Sequence, residues 1–312
     1  MEENKERKYL DIGYIMKVNI NNLNSSENPG NLVLLKKIQN ATGEYFVYVS
    51  GQAFRYYLKQ TLMQMKVNLT KLDSKGELEI EKDAPKARKE RYNYIVKNHP
   101  DLDLFGFMEA KKKGNEIALR RWSPVKVSPL ISIFPWKGET DLLTQKKEER
   151  GELVKVEINT FNFMKGTTIV NVDEVGSYVD DLNWEVVDVI GEEERRNRIG
   201  KLLDAFKNIN GGGKIARLLD DLTPKFIIIA DQSAATPVFL NSLEVDEEGS
   251  ININLLKESL NIYSDIINDY LIGIRTGMFK NESDIKNKFG DKVKSLKDTI
   301  EIAKSWIQRS DK

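Results

Sequence analysis

The chain has 312 residues, of which 48 are basic and 48 acidic, with 40% hydrophobic and 31% charged side chains. Such a composition supports a core of appreciable size beneath a heavily charged surface and argues against disorder. Cysteine is absent, which excludes disulfides, thiolate zinc sites and cysteine nucleophiles, and leaves carboxylates and a single histidine as metal ligands.

The polar start, MEENKERKYL, lacks the apolar segment of a secretion signal, and the longest apolar runs, such as residues 226–230, fall far short of the ~20 residues that cross a bilayer. A cytoplasmic location with no membrane contact is therefore expected. Residues 14–20 alternate as a strand does, and an asparagine-rich stretch of turn-forming residue types follows. A second strand is expected at Tyr45–Val49, and Ser50 then offers an N-cap for a helix reaching about Met65. On that helix Phe54, Leu58, Leu62 and Met65 mark the buried face, with Gln52, Arg55, Lys59 and Lys66 to one side.

From 67 to 150 the periodicity is irregular and Lys, Gly and Pro are frequent, which suggests an insertion on a core fold. Alternation returns at 153–163 and 166–172, a strand pair whose connection near 164–166 reads as a hairpin turn. A charged helix is expected at Glu192–Lys207, then the sequence Asn-Gly-Gly-Gly-Lys at 210–214, a short helix ending before Pro224, and a buried strand at 226–230. Two amphipathic helices are expected to close the chain: one carries Leu256, Leu260, Tyr263, Ile267 and Tyr270, the other Ile285, Phe289, Val293, Leu296, Ile300, Ala303 and Ile307.

Net charge is neutral but unevenly placed. Between Lys82 and Lys126 twelve basic residues, including Lys111, Lys112 and Lys113, face six acids, whereas at 240–272 seven acids face only Lys257. Such a chain can bind a polyanion on one face or pair head to tail with its own copies; ordinary solvated surface gives the same counts.

Three constellations could carry binding. Ser50-Gly51-Gln52 opens a helix whose free N–H groups and positive dipole end suit an anion, and Arg55 and Lys59 could grip successive phosphates; a capped helix with a solvated basic face looks the same. Gly211-Gly212-Gly213-Lys214, with Arg217 nearby, is not a nucleotide-binding P-loop, because the glycine spacing is wrong and Ile215 stands where a magnesium-binding hydroxyl belongs. It offers bare backbone and charge to a sugar-phosphate chain, or it is a flexible linker. Thirdly, aromatic and basic residues interleave at Arg91-Tyr92-Asn93-Tyr94, Phe105-Gly106-Phe107-Met108 and Arg120-Arg121-Trp122, as in surfaces that stack bases, although core packing explains them nearly as well. His99, beside Pro100, is expected to be an exposed loop histidine, and Asp180-Asp181 and Asp220-Asp221 are the acid pairs on which a metal-dependent ribonuclease would draw.

VSGQAFRYYLK at 49–59, DLFGFM at 103–108, RWSPVKVSPLISI at 121–133 and GGGKIAR at 211–217, in that order, resemble the DevR-type backbone subunit of Cascade, the seventh CRISPR-associated protein family, of the subtype I-B kind within the RAMP superfamily. The resemblance implies an α+β fold: a modified RRM-like (ferredoxin-like) palm from 10–66 and 151–240, with a thumb loop near 208–222, inserted fingers at 67–150, and helices at 250–312 packing on the palm. It implies a subunit without catalytic activity or cofactor that forms a helical filament along guide RNA (crRNA) with copies of itself and other Cascade subunits, and presents the guide to target DNA. Carried over, the RNA contacts fall on Ser50, Gly51, Gln52, Arg55, Lys59, Gly211, Gly212, Gly213 and Lys214. Related type III subunits cleave RNA with an aspartate in the loop after the first strand; here that loop, 21–31, holds Glu27 but no aspartate.

Overall fold

The computed structural model describes residues 7–27, 29–74, 76–81, 83–109, 118–147, 150–179 and 186–307. The chain opens with β1 (Tyr9–Asn21), β2 (Leu32–Val33), β3 (Lys37–Gln39) and β4 (Tyr45–Val49), and β4 runs straight into α1 (Gly51–Gln64). Helices α2 (Arg88–Asn98) and α3 (Pro100–Phe105) precede β5 (Phe107–Glu109), β6 (Leu119–Arg121), β7 (Val125–Val127) and β8 (Leu130–Ser132). Next come β9 (Thr140–Lys147), β10 (Arg150–Glu157), β11 (Asn159–Asn171), β12 (Ser177–Val179), β13 (Val186–Asp188) and α4 (Glu192–Lys207). The last third holds β14 (Pro224–Gln232), α5 (Ile253–Ile262), β15 (Ile267–Ile274), α6 (Glu282–Phe289), β16 (Val293–Ser295) and α7 (Leu296–Ser305).

A mixed α+β architecture results. Nine strands form the main sheet in the order β16-β15-β14-β1-β11-β8-β4-β3, with β7 also paired to β11. Both faces of its centre are covered, which is why β14 reads as an unbroken apolar run in place of an alternating one. Ile227 and Ile229 pack with Leu10, Ile12 and Tyr14 of β1 against α1, α4 and α7, while Phe226, Ile228 and Ala230 face the opposite way toward α5 and α6. Phe54 of α1 and Phe206 of α4 meet Tyr14 at ring-centroid distances of 5.5 and 5.3 Å, so α1 is fixed to the middle of the sheet by aromatic contacts as well as by area.

Several elements differ from the sequence reading. No turn occurs at 164–166: β11 continues through it, paired along its length with β1, and β10 instead joins β9 and β2 in a separate three-stranded sheet. Gly166 sits there because a Cβ would come within 2.8 Å of Leu130 and Tyr14, a packing demand and not a turn. No helix precedes Pro224; the chain makes turns from Lys214 and Pro224 itself begins β14. The expected helix at 256–270 ends at Ile262, and Ile267 and Tyr270 lie on β15. The last expected helix is split into α6, a 3-10 turn (Gly290–Lys292), β16 and α7, so residues beyond 250 extend the main sheet as well as packing on it. Within 67–150, α2, α3, β5 and β6 share a small core of Ile95, Leu102, Phe107 and Leu119, but β7 and β8 are strands of the main sheet.

Candidate nucleic-acid interface

A four-residue loop at the end of β1 organises the site. Asn22 bridges to the glycine loop, its carbonyl accepting from the Gly213 N–H at 2.8 Å, while its side-chain amide donates to the Glu157 carbonyl at 2.9 Å. The Asn24 side-chain oxygen accepts from the Ser50 N–H at 3.1 Å, and the Tyr57 hydroxyl donates to the Leu23 carbonyl. Ser25 closes the loop by donating to the Asn22 side-chain oxygen at 2.9 Å. The start of α1 and the glycine loop, 160 residues apart in sequence, are thus held on one stretch of backbone. The asparagines at 22 and 24 were missed as site residues, because their composition signals a turn and nothing local shows what the turn will hold.

Ser50 caps α1 as expected, its hydroxyl accepting from the Ala53 N–H at 3.2 Å. Gly51 has a structural reason to be glycine: a Cβ there would lie 3.1 Å from the Val127 carbonyl of β7. Gln52 is exposed, as is Tyr56 one turn on.

Arg55 and Lys59 are turned into the protein more than their spacing suggested. The Arg55 guanidinium donates to the Phe105 carbonyl at the end of α3 and lies 5.5 Å from that ring's centroid; burial holds its pKa below the usual guanidinium value. Lys59 pairs with the buried Asp101 at 3.2 Å, lies 5.6 Å from the Phe105 ring, and keeps 30% of its side chain exposed. Each cation that was expected to be free for phosphate already joins α1 to α3.

The glycine loop is more built than a linker. A Cβ on Gly211 would lie 2.3 Å from the Tyr57 ring, and Gly212 has φ +113°, a conformation that side chains resist. The Asn210 N–H donates to the Thr61 hydroxyl at 3.3 Å. Lys214, at φ +57°, and Arg217 are exposed beyond the loop, while Leu218 turns back into the core of the β2-β10-β9 sheet. Asp220 then accepts from the backbone and side chain of Asn19 and, at 2.7 Å, from the Asn21 amide, tying the returning chain to β1.

The remaining candidates are engaged elsewhere. His99 is 6% exposed, not an open loop residue, with Thr70 and Glu81 hydrogen-bonded to its two ring nitrogens. Asp221 pairs with Lys225 and Arg275; although burial works against ionisation, hydrogen bonds from Thr223 and Lys225 bring its carboxyl down to about 2. Among the described residues no group of three or more His, Asp or Glu side chains is arranged to hold a metal ion, and no helix is long and apolar enough to cross a membrane. Lys82, Lys111, Lys112, Lys113, Asp180 and Asp181 lie outside the described residues.

The model of the family described as CRISPR-associated negative auto-regulator DevR/Csa2 matches residues 12–246. The chain belongs to the DevR/Csa2 family. No curated protein matches the sequence significantly. Among solved structures, a chain of a "CRISPR RNA-guided surveillance complex" is similar at 15% identity and TM-score 0.57 over 95% of this chain and 98% of that one. A chain of a "CRISPR RNA-guided surveillance complex, pre-nicking" is similar at 12% identity and TM-score 0.55 over 95% and 100%. At these identities the likeness is one of fold. The DevR/Csa2 match contains the β1 loop, the start of α1 and the glycine loop, whereas β15, β16, α6 and α7 fall beyond it.

Proposed function

We propose that this DevR/Csa2 protein is a backbone subunit of an RNA-guided CRISPR surveillance complex of the Cascade kind, subtype I-B and RAMP superfamily, and holds guide RNA without cleaving it. The observation that carries the reading is the junction at Asn22–Ser25, which sets the N-terminus of α1 beside a glycine loop followed by exposed Lys214 and Arg217. Bare backbone, helix N–H groups and cations together suit a sugar-phosphate chain and carry no base-specific code. In this reading the sheet with α1 and α4 on one face is an RRM-like palm, and the loop from Asn208 to Leu222 is a thumb. Ser50, Gly51, Gln52, Gly211, Gly212, Gly213 and Lys214 line the RNA. Arg55 and Lys59 act mainly by positioning α1 against α3, Lys59 adding its exposed edge to the field. The subunit stacks head to tail with copies of itself beside other Cascade subunits and supports pairing of the guide with target DNA.

Expression with a guide array tests this. The purified particle is expected to carry excess absorbance at 260 nm and to yield RNA that stays full length when incubated with magnesium. Paired Lys214→Glu and Arg217→Glu substitutions should strip most of that RNA. Recovery of RNA-free protein from the unsubstituted chain, or magnesium-dependent shortening of labelled RNA, would overturn the proposal, the second in favour of a metal-dependent ribonuclease.

A further inference from the structure

The ribbon of β5 and β6 carries a surface that the guide groove does not use. Met108 stands directly across from Arg120 in the antiparallel register, and residues of β6 alternate between the two sides of the ribbon. Arg121 points inward and is saturated: its guanidinium pairs with the fully buried Asp103 and donates to the Asp103, Glu174 and Ser177 carbonyls and the Tyr92 hydroxyl. That anchor fixes its neighbours outward. Arg120 and Trp122 flank it, and the Arg120 guanidinium lies 3.7 Å from the Trp122 ring centroid. Trp122 is 73% exposed and Met108 70%.

A large ring held in water on a rigid anchor loses little freedom when a partner arrives. Tryptophan, arginine and methionine also favour protein interfaces, so the charge of the surroundings decides the class of partner. From Ala118 to Gly138 there is no acidic residue, while Arg120, Lys126 and Lys137 lie within that span beside the internally paired Arg121. Among the described residues Arg120 has no carboxylate partner, and its guanidinium lies against the ring. Met108, across from Arg120 in the register, and Trp122, against its guanidinium, place a cation beside both exposed apolar groups. Such a surface complements a polyanion with unsaturated flat rings.

We propose that Met108, Arg120 and Trp122 form a stacking platform for an unpaired nucleotide of single-stranded nucleic acid, Trp122 meeting the base and Arg120 its phosphate. The nucleotide comes from the guide or from a second strand. The inference goes beyond the groove at the β1 loop and shares no residue with it.

The test uses the full chain, free and guide-loaded, with short labelled oligouridylate and oligothymidylate read by fluorescence anisotropy. Trp122→Ala and Trp122→Leu are expected to weaken binding about tenfold, the effect of one lost base stack, whereas Trp122→Phe retains most of it. Arg120→Gln should lower the slope of log affinity against log salt by about 0.7. Because Trp122 is exposed, melting temperatures should not move; a variant that melts early is set aside and the Phe-to-Leu comparison and the Arg120 salt slope carry the test. In the guide-loaded particle, loss of guide protection in Trp122→Ala identifies the guide as the source, and weaker capture of a complementary strand with the guide retained identifies the second strand. Unchanged oligonucleotide affinity in all variants overturns the platform, and a fall in assembly mass alone reassigns it to protein contact. Guide content of Lys214→Glu particles reports on the groove separately, so either site can fail while the other stands.

Discussion

Two of the protein's cation–aromatic clusters are opposite in kind. At the first, Arg55 and Lys59 of α1 approach Phe105 but are held by the Phe105 carbonyl and the Asp101 carboxylate of their own chain. At the second, Arg120 lies on Trp122 with no carboxylate partner among the described residues, and the ring faces solvent. A basic residue near an aromatic one is open to a ligand only where the fold has not already provided its acceptor. Arg121, Arg195 and Arg198 extend the lesson, for all three are buried and fully engaged in joining elements. Within the basic stretch at 82–126, Arg121 and Arg91 are such braces, Arg91 through Glu109, whereas Lys86, Lys97, Arg120 and Lys126 are exposed.

The bracing converges on Asp103, which receives both Arg121 and Arg198, the latter at 2.8 Å, as well as the Gly176 N–H at 3.0 Å. Asp103→Ala strands two buried guanidinium groups and is expected to cost about 3–5 kcal/mol in urea unfolding. An unchanged midpoint would show that the arginines find other acceptors, and the bracing argument would fall. A buried acid without a cation should behave in the reverse way. Burial pushes the Asp11 carboxyl up to about 7, against hydrogen bonds from Thr167 and Phe239 that favour the charged form. Its folded value lies above the unfolded one near 3.8, so its full contribution to stability is present below about pH 4 and is lost as pH rises toward 7, by on the order of 4 kcal/mol. Urea unfolding at a series of pH values measures this slope, which Asp11→Asn should flatten.

Smaller effects sharpen the contrast between the two clusters. Gly211→Ala forces a methyl group into the Tyr57 ring and is expected to cost about 1–3 kcal/mol, with RNA content falling as the glycine loop shifts. Arg55→Ala leaves the Phe105 carbonyl without its donor, for a loss of about 1–2 kcal/mol by thermal unfolding. Lys59→Met should cost no more than about 1 kcal/mol, because Asp101 keeps the Thr70 N–H and hydroxyl at 3.0 and 2.8 Å. If both α1 variants keep their melting temperature but lose RNA, these residues are phosphate ligands first and braces second.

The elements legible in the sequence are those whose signals are local. The Ser50 cap, the apolar stripe of α1, the strand at Tyr45–Val49 and the helix at Glu192–Lys207 each carry their own start and period, and each lies where its residues place it. The C-terminal region misled because Ile267 and Tyr270 fit a helical period and a strand equally, and pairing with β14 decides between them. Gly166 resembled a turn because closeness to Tyr14 and Leu130 leaves no trace in the neighbouring sequence. The site was legible in its parts, Ser50 to Gln52 and the three glycines, but not in its assembly, which depends on Asn22 and Asn24. The partners of Arg55 and Lys59 could not be foreseen, since Asp101 and Phe105 lie more than 40 residues away.

The stitch between Asn22 and Gly213 has one more consequence. It anchors the glycine segment upstream of its exposed part, so the loop takes its position from the longest pair of strands and not from the excursion that follows. Residues added or deleted between Ile215 and Arg217 would lengthen or shorten only the exposed excursion, because its root is fixed at Asn22 and its far end at the buried Leu218.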